Sequence, residues 1–172
     1  WTTVLGFYST YFVFYILLGG GIFAVTFGMD ILAGEENKRT AEFLYTRPIT
    51  RTEIYTTKTA VVLTYVFLLN ALTYITTWIS LELIEVSEFS VSNLTTLHVY
   101  GFLFCLMFSA IGLFVSAIIK RGRVSIFAGV GVVMLMYFYD ALIKTTEHYD
   151  TLGYITPYKF IPMNVTHSDY GF

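Results

Sequence analysis

VYGFLFCLMFSAIGLFVSAII, residues Val99 to Ile119, is a run of 21 residues without a charged side chain. Its length matches the roughly 20 apolar residues that a helix needs to cross a hydrocarbon core of about 30 Å. A membrane strand would alternate in polarity over about ten residues. Leu103-Phe104-Cys105-Leu106-Met107-Phe108 is instead apolar on every face, so only a helix, with its backbone bonded internally, suits a lipid environment.

Three further blocks read the same way: about Phe7 to Ala33, Thr59 to Leu81 and Val124 to Ile143, each bounded by charge. The whole chain is 56% hydrophobic and 13% charged with a mean hydropathy of +0.67, outside the balance of a soluble domain. The fold class expected is therefore all-α: a polytopic transmembrane helix bundle with four spans in residues 1–172, forming one domain.

The basic residues orient it. Lys38, Arg39, Arg47, Arg51 and Lys58 lie between the first and second spans, and Lys120, Arg121 and Arg123 lie between the third and fourth. Alternating helices bring both groups to one side, which the positive-inside rule makes cytoplasmic. Segments 82–98 and 144–172 then face outward. With Trp1 at its start, no basic leader, and both ends outside, the stretch reads as a fragment of a longer protein, lacking a span at each end, with six in the whole.

The segment at 34–58 is more than a connection. Glu35 to Thr46 suits a short helix along the membrane, with acids in its first turn, Arg47 at its end, and Glu35 within helical reach of Lys38 and Arg39. Pro48 stops it. Thr50 and Glu53 then have capping-box spacing, which starts a new helix that runs through Lys58 into the second span. The result is an elbow able to transmit force.

This pattern resembles the permeases of the type-2 ATP-binding-cassette exporter family, on Glu35, Glu36, Thr40, Glu42, Leu44, Pro48, Arg51 and Lys58. A weaker match is Tyr154-Ile155-Thr156-Pro157-Tyr158-Lys159-Phe160, similar to that family's Ser/Thr-Pro-aromatic-x-Phe element before its last span. The resemblance implies that the elbow is a coupling helix docked in a cleft of a cytoplasmic ATPase. Glu35, Glu36, Lys38, Arg39, Thr40 and Glu42 would make polar contacts, Phe43 and Leu44 would fill the cleft, and Pro48 and Arg51 would set the corner. It further implies a second permease copy, identical or related, and that ATP and magnesium belong to the partner ATPase. Phe7 to Ala33 becomes the family's second span, the missing ones its first and sixth. A multi-pass protein of a bacterial cytoplasmic membrane is expected, surrounded by lipid and exporting an unidentified cargo.

No Gly-x-x-x-x-Gly-Lys-Ser/Thr loop occurs, so the chain has no phosphate cradle of its own. No cofactor, metal or nucleic-acid partner is expected on it. An intramembrane enzyme is disfavoured: Ser9, Ser80, Ser109 and Ser116 have no Lys or His at matching depth, and Asp30 and Asp140 are isolated on different spans. Glu147, His148, Asp150 and His167 fit no ligand spacing, and Cys105 reads as an apolar packing residue. The alternative to an exporter is a membrane anchor or assembly factor holding a cytoplasmic partner through the same elbow.

Small residues, Gly20 with Ala24 and Gly112 with Ser116, permit close helix approach. Gly19-Gly20-Gly21 reads as packing or as a hinge, and Asn70, Thr73, Thr76 and Thr77 form a polar line that either packs or faces a pathway.

Overall fold

The computed structural model describes residues 8, 10–37, 50–83, 90–118, 122–146 and 149–161. A π-helical segment, Phe12–Gly19, leads into α1 (Gly20–Asn37). There follow α2 (Arg51–Leu83), α3 (Val91–Ile118), α4 (Gly122–Ile143), the single turn α5 (Tyr149–Leu152), and two 3-10 turns, Gly153–Ile155 and Pro157–Phe160. No strand occurs among the described residues. The expected class is the one observed, an all-helical membrane bundle.

Three stretches, Phe12–Ile31, Thr52–Leu83 and Val91–Ser116, are long and apolar enough to cross a membrane, and Phe127–Ile143 is a shorter apolar helix among the described residues. Two helices outrun the expected spans. α2, at 33 residues, is about 50 Å long at 1.5 Å per residue, well over the thickness of a hydrocarbon core. α3 begins at Val91 rather than near Val99, and the added residues Leu94, Leu97 and His98 are buried.

α1 lies at the centre, packed chiefly on α3 and then on α4, while α2 rests on α3 and α1. The seam between α1 and α3 is set by residues too small to hold the backbones apart. A Cβ on Gly28 would stand 2.7 Å from the Ser109 carbonyl oxygen, and one on Gly112 only 2.4 Å from that of Val25. Ser116 closes the same seam by donating its hydroxyl to the Met29 carbonyl at 2.8 Å. Gly112 and Ser116 thus pack as expected of a small-x-x-x-small pair, and their partner is α1.

The triple glycine marks the change from π to α winding. Gly20 and Gly21 also pack: their added Cβ atoms would each lie 3.1 Å from a neighbour, the Cys105 Sγ and the Phe104 ring respectively. Gly19 alone looks onto open space.

Near the N-terminal end of the first span, hydrogen bonds join three stretches of the chain. The Tyr8 hydroxyl meets Thr77 Oγ1 at 3.1 Å and His98 Nε2 at 3.2 Å, and the Tyr74 hydroxyl meets Thr95 at 3.0 Å. The chain after α4 returns to the bundle there. Thr156 caps the last 3-10 turn by accepting from the Tyr158 amide at 3.3 Å, with Pro157 at its first position. This drives the Tyr158 ring between Phe104 of α3 and Tyr137 of α4, with centroids at 4.8 and 5.7 Å. The Thr-Pro-aromatic element is a wedge between α3 and α4.

The Tyr158 side chain is 1% exposed, and its hydroxyl has no hydrogen-bond partner. Burial, with Tyr137 and Asp140 nearby, pushes its ionisation well above the ordinary phenol range, so it stays neutral. An unsatisfied buried hydroxyl contributes little. Tyr158→Phe is expected to leave stability within about 0.5 kcal/mol or raise it by up to about 1, whereas Tyr158→Ala, which empties the wedge, is expected to cost about 3–5 kcal/mol. Unfolding of the purified protein in detergent distinguishes the two, and equal losses from both would count against a wedge held by packing.

Candidate functional site

The elbow begins at the C-terminal end of α1. Glu35 and Glu36 lie on its last turn, which continues unbroken from the first span as far as Asn37. Lys38, Arg39, Thr40, Glu42, Phe43, Leu44 and Pro48 lie outside the described residues, and Arg51 is the first residue of α2. The structure therefore speaks to how the elbow is anchored.

The far anchor is the capping box read from Thr50 and Glu53. The Glu53 carboxylate accepts from the Thr50 amide at 2.8 Å and from its hydroxyl at 2.9 Å. The Glu53 amide donates to Thr50 Oγ1 at 3.3 Å. The Ile54 amide adds the first backbone bond, to the Thr50 carbonyl at 3.2 Å. Two amides that would otherwise lack a partner are satisfied reciprocally, which fixes where α2 starts.

The near anchor was not legible in the sequence. Lys58, two turns into α2, donates its ammonium to the Ile31 carbonyl of α1 at 2.8 Å. A charged donor on a carbonyl makes a strong bond where little water competes. One helical turn before the elbow leaves α1, its backbone is thus held by α2 through Lys58 and by α3 through the Ser116 bond to Met29. Pattern reading could identify Lys58 as a cation beside the membrane, but its acceptor is a main-chain atom and leaves no residue signature.

The polar line on α2 divides by depth. Asn70 is buried, and Thr73 and Thr76 donate back to carbonyls on their own helix. Thr77 bonds across to Tyr8, and the Asn70 side chain meets the Cys105 thiol of α3.

The hydroxyls of Ser80, Ser109 and Ser116 each donate to a backbone carbonyl, with no base engaged. Asp140 is buried and paired with Lys144 at 2.6 Å, one turn along the same helix. No group of three His, Cys, Asp or Glu side chains suited to a metal occurs among the described residues. Of the outer candidates, Glu147, His148 and His167 lie outside those residues.

These features describe a membrane component in which the last turns of α1, ahead of residues 38–49, are bonded to α2 and α3. Comparison with curated proteins and with solved structures gives no match in either set. A family profile described as ABC-2 family transporter protein matches residues 6–166. That match takes in the π-helical segment, all the long helices, the elbow and the Tyr158 wedge, and on that extent the chain belongs to the ABC-2 family of membrane transport proteins.

Proposed function

We propose that this chain is the membrane-spanning subunit of an ATP-driven exporter, working beside a cytoplasmic ATPase on a separate polypeptide. The observation that carries the reading is the family match across residues 6–166, joined to an acidic-basic loop between α1 and α2. Binding and hydrolysis of ATP, with magnesium, would occur on that partner, as membership of the ABC-2 family suggests, and residues 1–172 carry no phosphate-binding loop. Closure of the ATPase pair would push on residues 35–51, and the elbow would pass that displacement to α1 and α2.

Four spans in this stretch, including α4, and a bacterial cytoplasmic membrane belong to the same reading. So does a second permease copy. Leu63, Phe67, Leu72, Ile75 and Trp78 leave much of the α2 surface apolar and exposed, as lipid contact requires.

Affinity purification of the full-length protein from its native membrane tests the proposal. A stoichiometric partner carrying a Gly-x-x-x-x-Gly-Lys-Ser/Thr loop is expected to come with it, and to be lost when residues 35–51 are replaced by a Gly/Ser linker. A well-folded protein that brings down no nucleotide-binding chain would overturn the proposal and favour an anchor for some other cytoplasmic partner.

A further inference from the structure

The first span is held to the rest of the bundle in two different ways along its length. In its C-terminal half the hold is backbone against backbone: α1 and α3 meet at Gly28 and Gly112, where an added Cβ would strike a main-chain carbonyl, and Ser116 bonds to the Met29 carbonyl. The N-terminal half, the π-helical segment with Tyr8 ahead of it, is held by side chains. Phe12 is 1% exposed. Its ring covers Gly101 of α3, where a Cβ would lie 2.7 Å from the ring tip, and it meets the His98 ring edge-on with centroids at 5.1 Å. Tyr11, Phe14 and Tyr15 of the same segment are exposed.

His98 fixes the direction of the hydrogen bonds. The Leu94 carbonyl, 3.0 Å from Nδ1, can only accept, so Nδ1 carries the hydrogen and Nε2 of the neutral ring accepts from the Tyr8 hydroxyl at 3.2 Å. With its hydrogen directed there, the Tyr8 oxygen accepts from Thr77 at 3.1 Å. One hydroxyl thus ties the start of the first span to both α2 and α3. Between the two halves the winding changes. The Gly20 amide divides between the Ile16 and Leu17 carbonyls, and a Cβ on Gly19 would meet nothing within 4 Å. π-winding and small-residue pairs are among the few causes of a sharp helix bend, and hinges are short stretches at element ends that absorb the change in dihedral angle.

We infer that the π-helical segment, with Tyr8 ahead of it, is a hinged arm that swings as one piece about Gly19 and Gly20, and that Tyr8 and Phe12 are the latch holding it against α2 and α3. Lifting the arm breaks both Tyr8 bonds, draws Phe12 off Gly101 and parts the first span from α2 and α3 at that end alone. The latched form is the one observed. The hinge stands on the geometry of the bundle. Its use, to open a way between those spans during transport, rests on the exporter reading, and the arm is tested without the ATPase so that the two can fail separately.

The test is spin-label distance measurement on the full-length protein in lipid nanodiscs, in a cysteine-free background that includes Cys105→Ala. Labels at Tyr11→Cys and Leu103→Cys, both exposed positions, span the arm and α3; labels at Asp30→Cys and Phe114→Cys, also exposed, span the locked half. Tyr8→Phe, which removes the bonding hydroxyl and keeps the ring, should raise the ratio of lifted to latched molecules about tenfold. Combined with Phe12→Ala, it should raise that ratio at least about a hundredfold. A second, longer Tyr11–Leu103 distance should then appear while the Asp30–Phe114 distance stays that of the parent. If the double variant does not fold, Gly101→Leu takes its place: it evicts the tip of the Phe12 ring from α3 and should give the same second distance. An unchanged Tyr11–Leu103 distance in either folded variant would mean a fixed segment. A featureless spread of distances would mean unravelling, and a change in both label pairs a general loosening; each of these three results would overturn the inference.

Discussion

Gly112→Leu is expected to abolish the folded protein. A leucine Cβ at this position would lie 2.4 Å from the Val25 carbonyl oxygen, with the Val25 carbonyl carbon and Cα each at 3.2 Å. All three atoms are backbone, so no rotamer change relieves the contact, and α1 and α3 must separate. Overpacking costs about 1–3 kcal/mol in a core that can adjust, and more where it cannot. Here the loss should exceed about 3 kcal/mol, because parting the helices also weakens the Ser116 bond to Met29. That is a large share of a typical stability of about 5–15 kcal/mol. Gly131→Leu is the control. It makes the same exchange in α4, where an added Cβ meets nothing within 4 Å, and leucine is the better helix former by nearly 1 kcal/mol. Monodisperse elution from detergent, with the unfolding temperature, should separate the two variants sharply. A Gly112→Leu protein as well folded as Gly131→Leu would mean that the helices do not cross at this glycine.

The contrast between those two glycines shows what sequence could and could not supply. Helix class came from Val99 to Ile119 because hydrocarbon permits few alternatives, and composition alone reports the solvent. The start of α2 came from Thr50 and Glu53 because a capping box is local chemistry at fixed spacing, and its hydrogen bonds are present in the structure. Gly112 with Ser116 was readable as a contact motif, yet nothing in the pattern named Gly28 and Val25 as the opposing surface. Partners across a bundle depend on how helices cross, which single-chain periodicity does not encode.

The same limit explains the other features that emerged only in three dimensions. The Lys58 acceptor is a backbone carbonyl 27 residues away in sequence. The π winding of Phe12–Gly19 has no residue signature beyond the glycines that end it. The burial of Tyr158 depends on a gap between α3 and α4 that neither helix reveals alone. Asn70 was visible as a polar residue in an apolar span, but its contact with the Cys105 thiol of α3 required coordinates. Of the elbow residues named as an interface, most lie outside the described residues, and their role rests on the family pattern.

Phe43→Asp is expected to lower export at least tenfold while the permease remains folded and inserted. In the proposed mechanism Phe43 fills an apolar cleft of the ATPase, and a carboxylate there must be desolvated without a partner, a penalty of several kcal/mol. Each 1.4 kcal/mol is a factor of ten in binding, so the ATPase would dissociate or sit out of register. Lys58→Met gives a different signature, which makes the pair informative. It leaves residues 35–51 in place but removes the bond from α2 to the Ile31 carbonyl, so the ATPase should still co-purify while its hydrolysis no longer drives transport in proportion. The measurements are partner recovery, ATP turnover and cargo flux in the same proteoliposomes. Phe43→Asp should lose all three; Lys58→Met should keep the first, retain much of the second and lose the third. If folded Phe43→Asp keeps both its partner and its flux, the elbow is not the docking site. If Lys58→Met transports normally for each ATP consumed, the bond between α1 and α2 holds the bundle together without carrying the stroke.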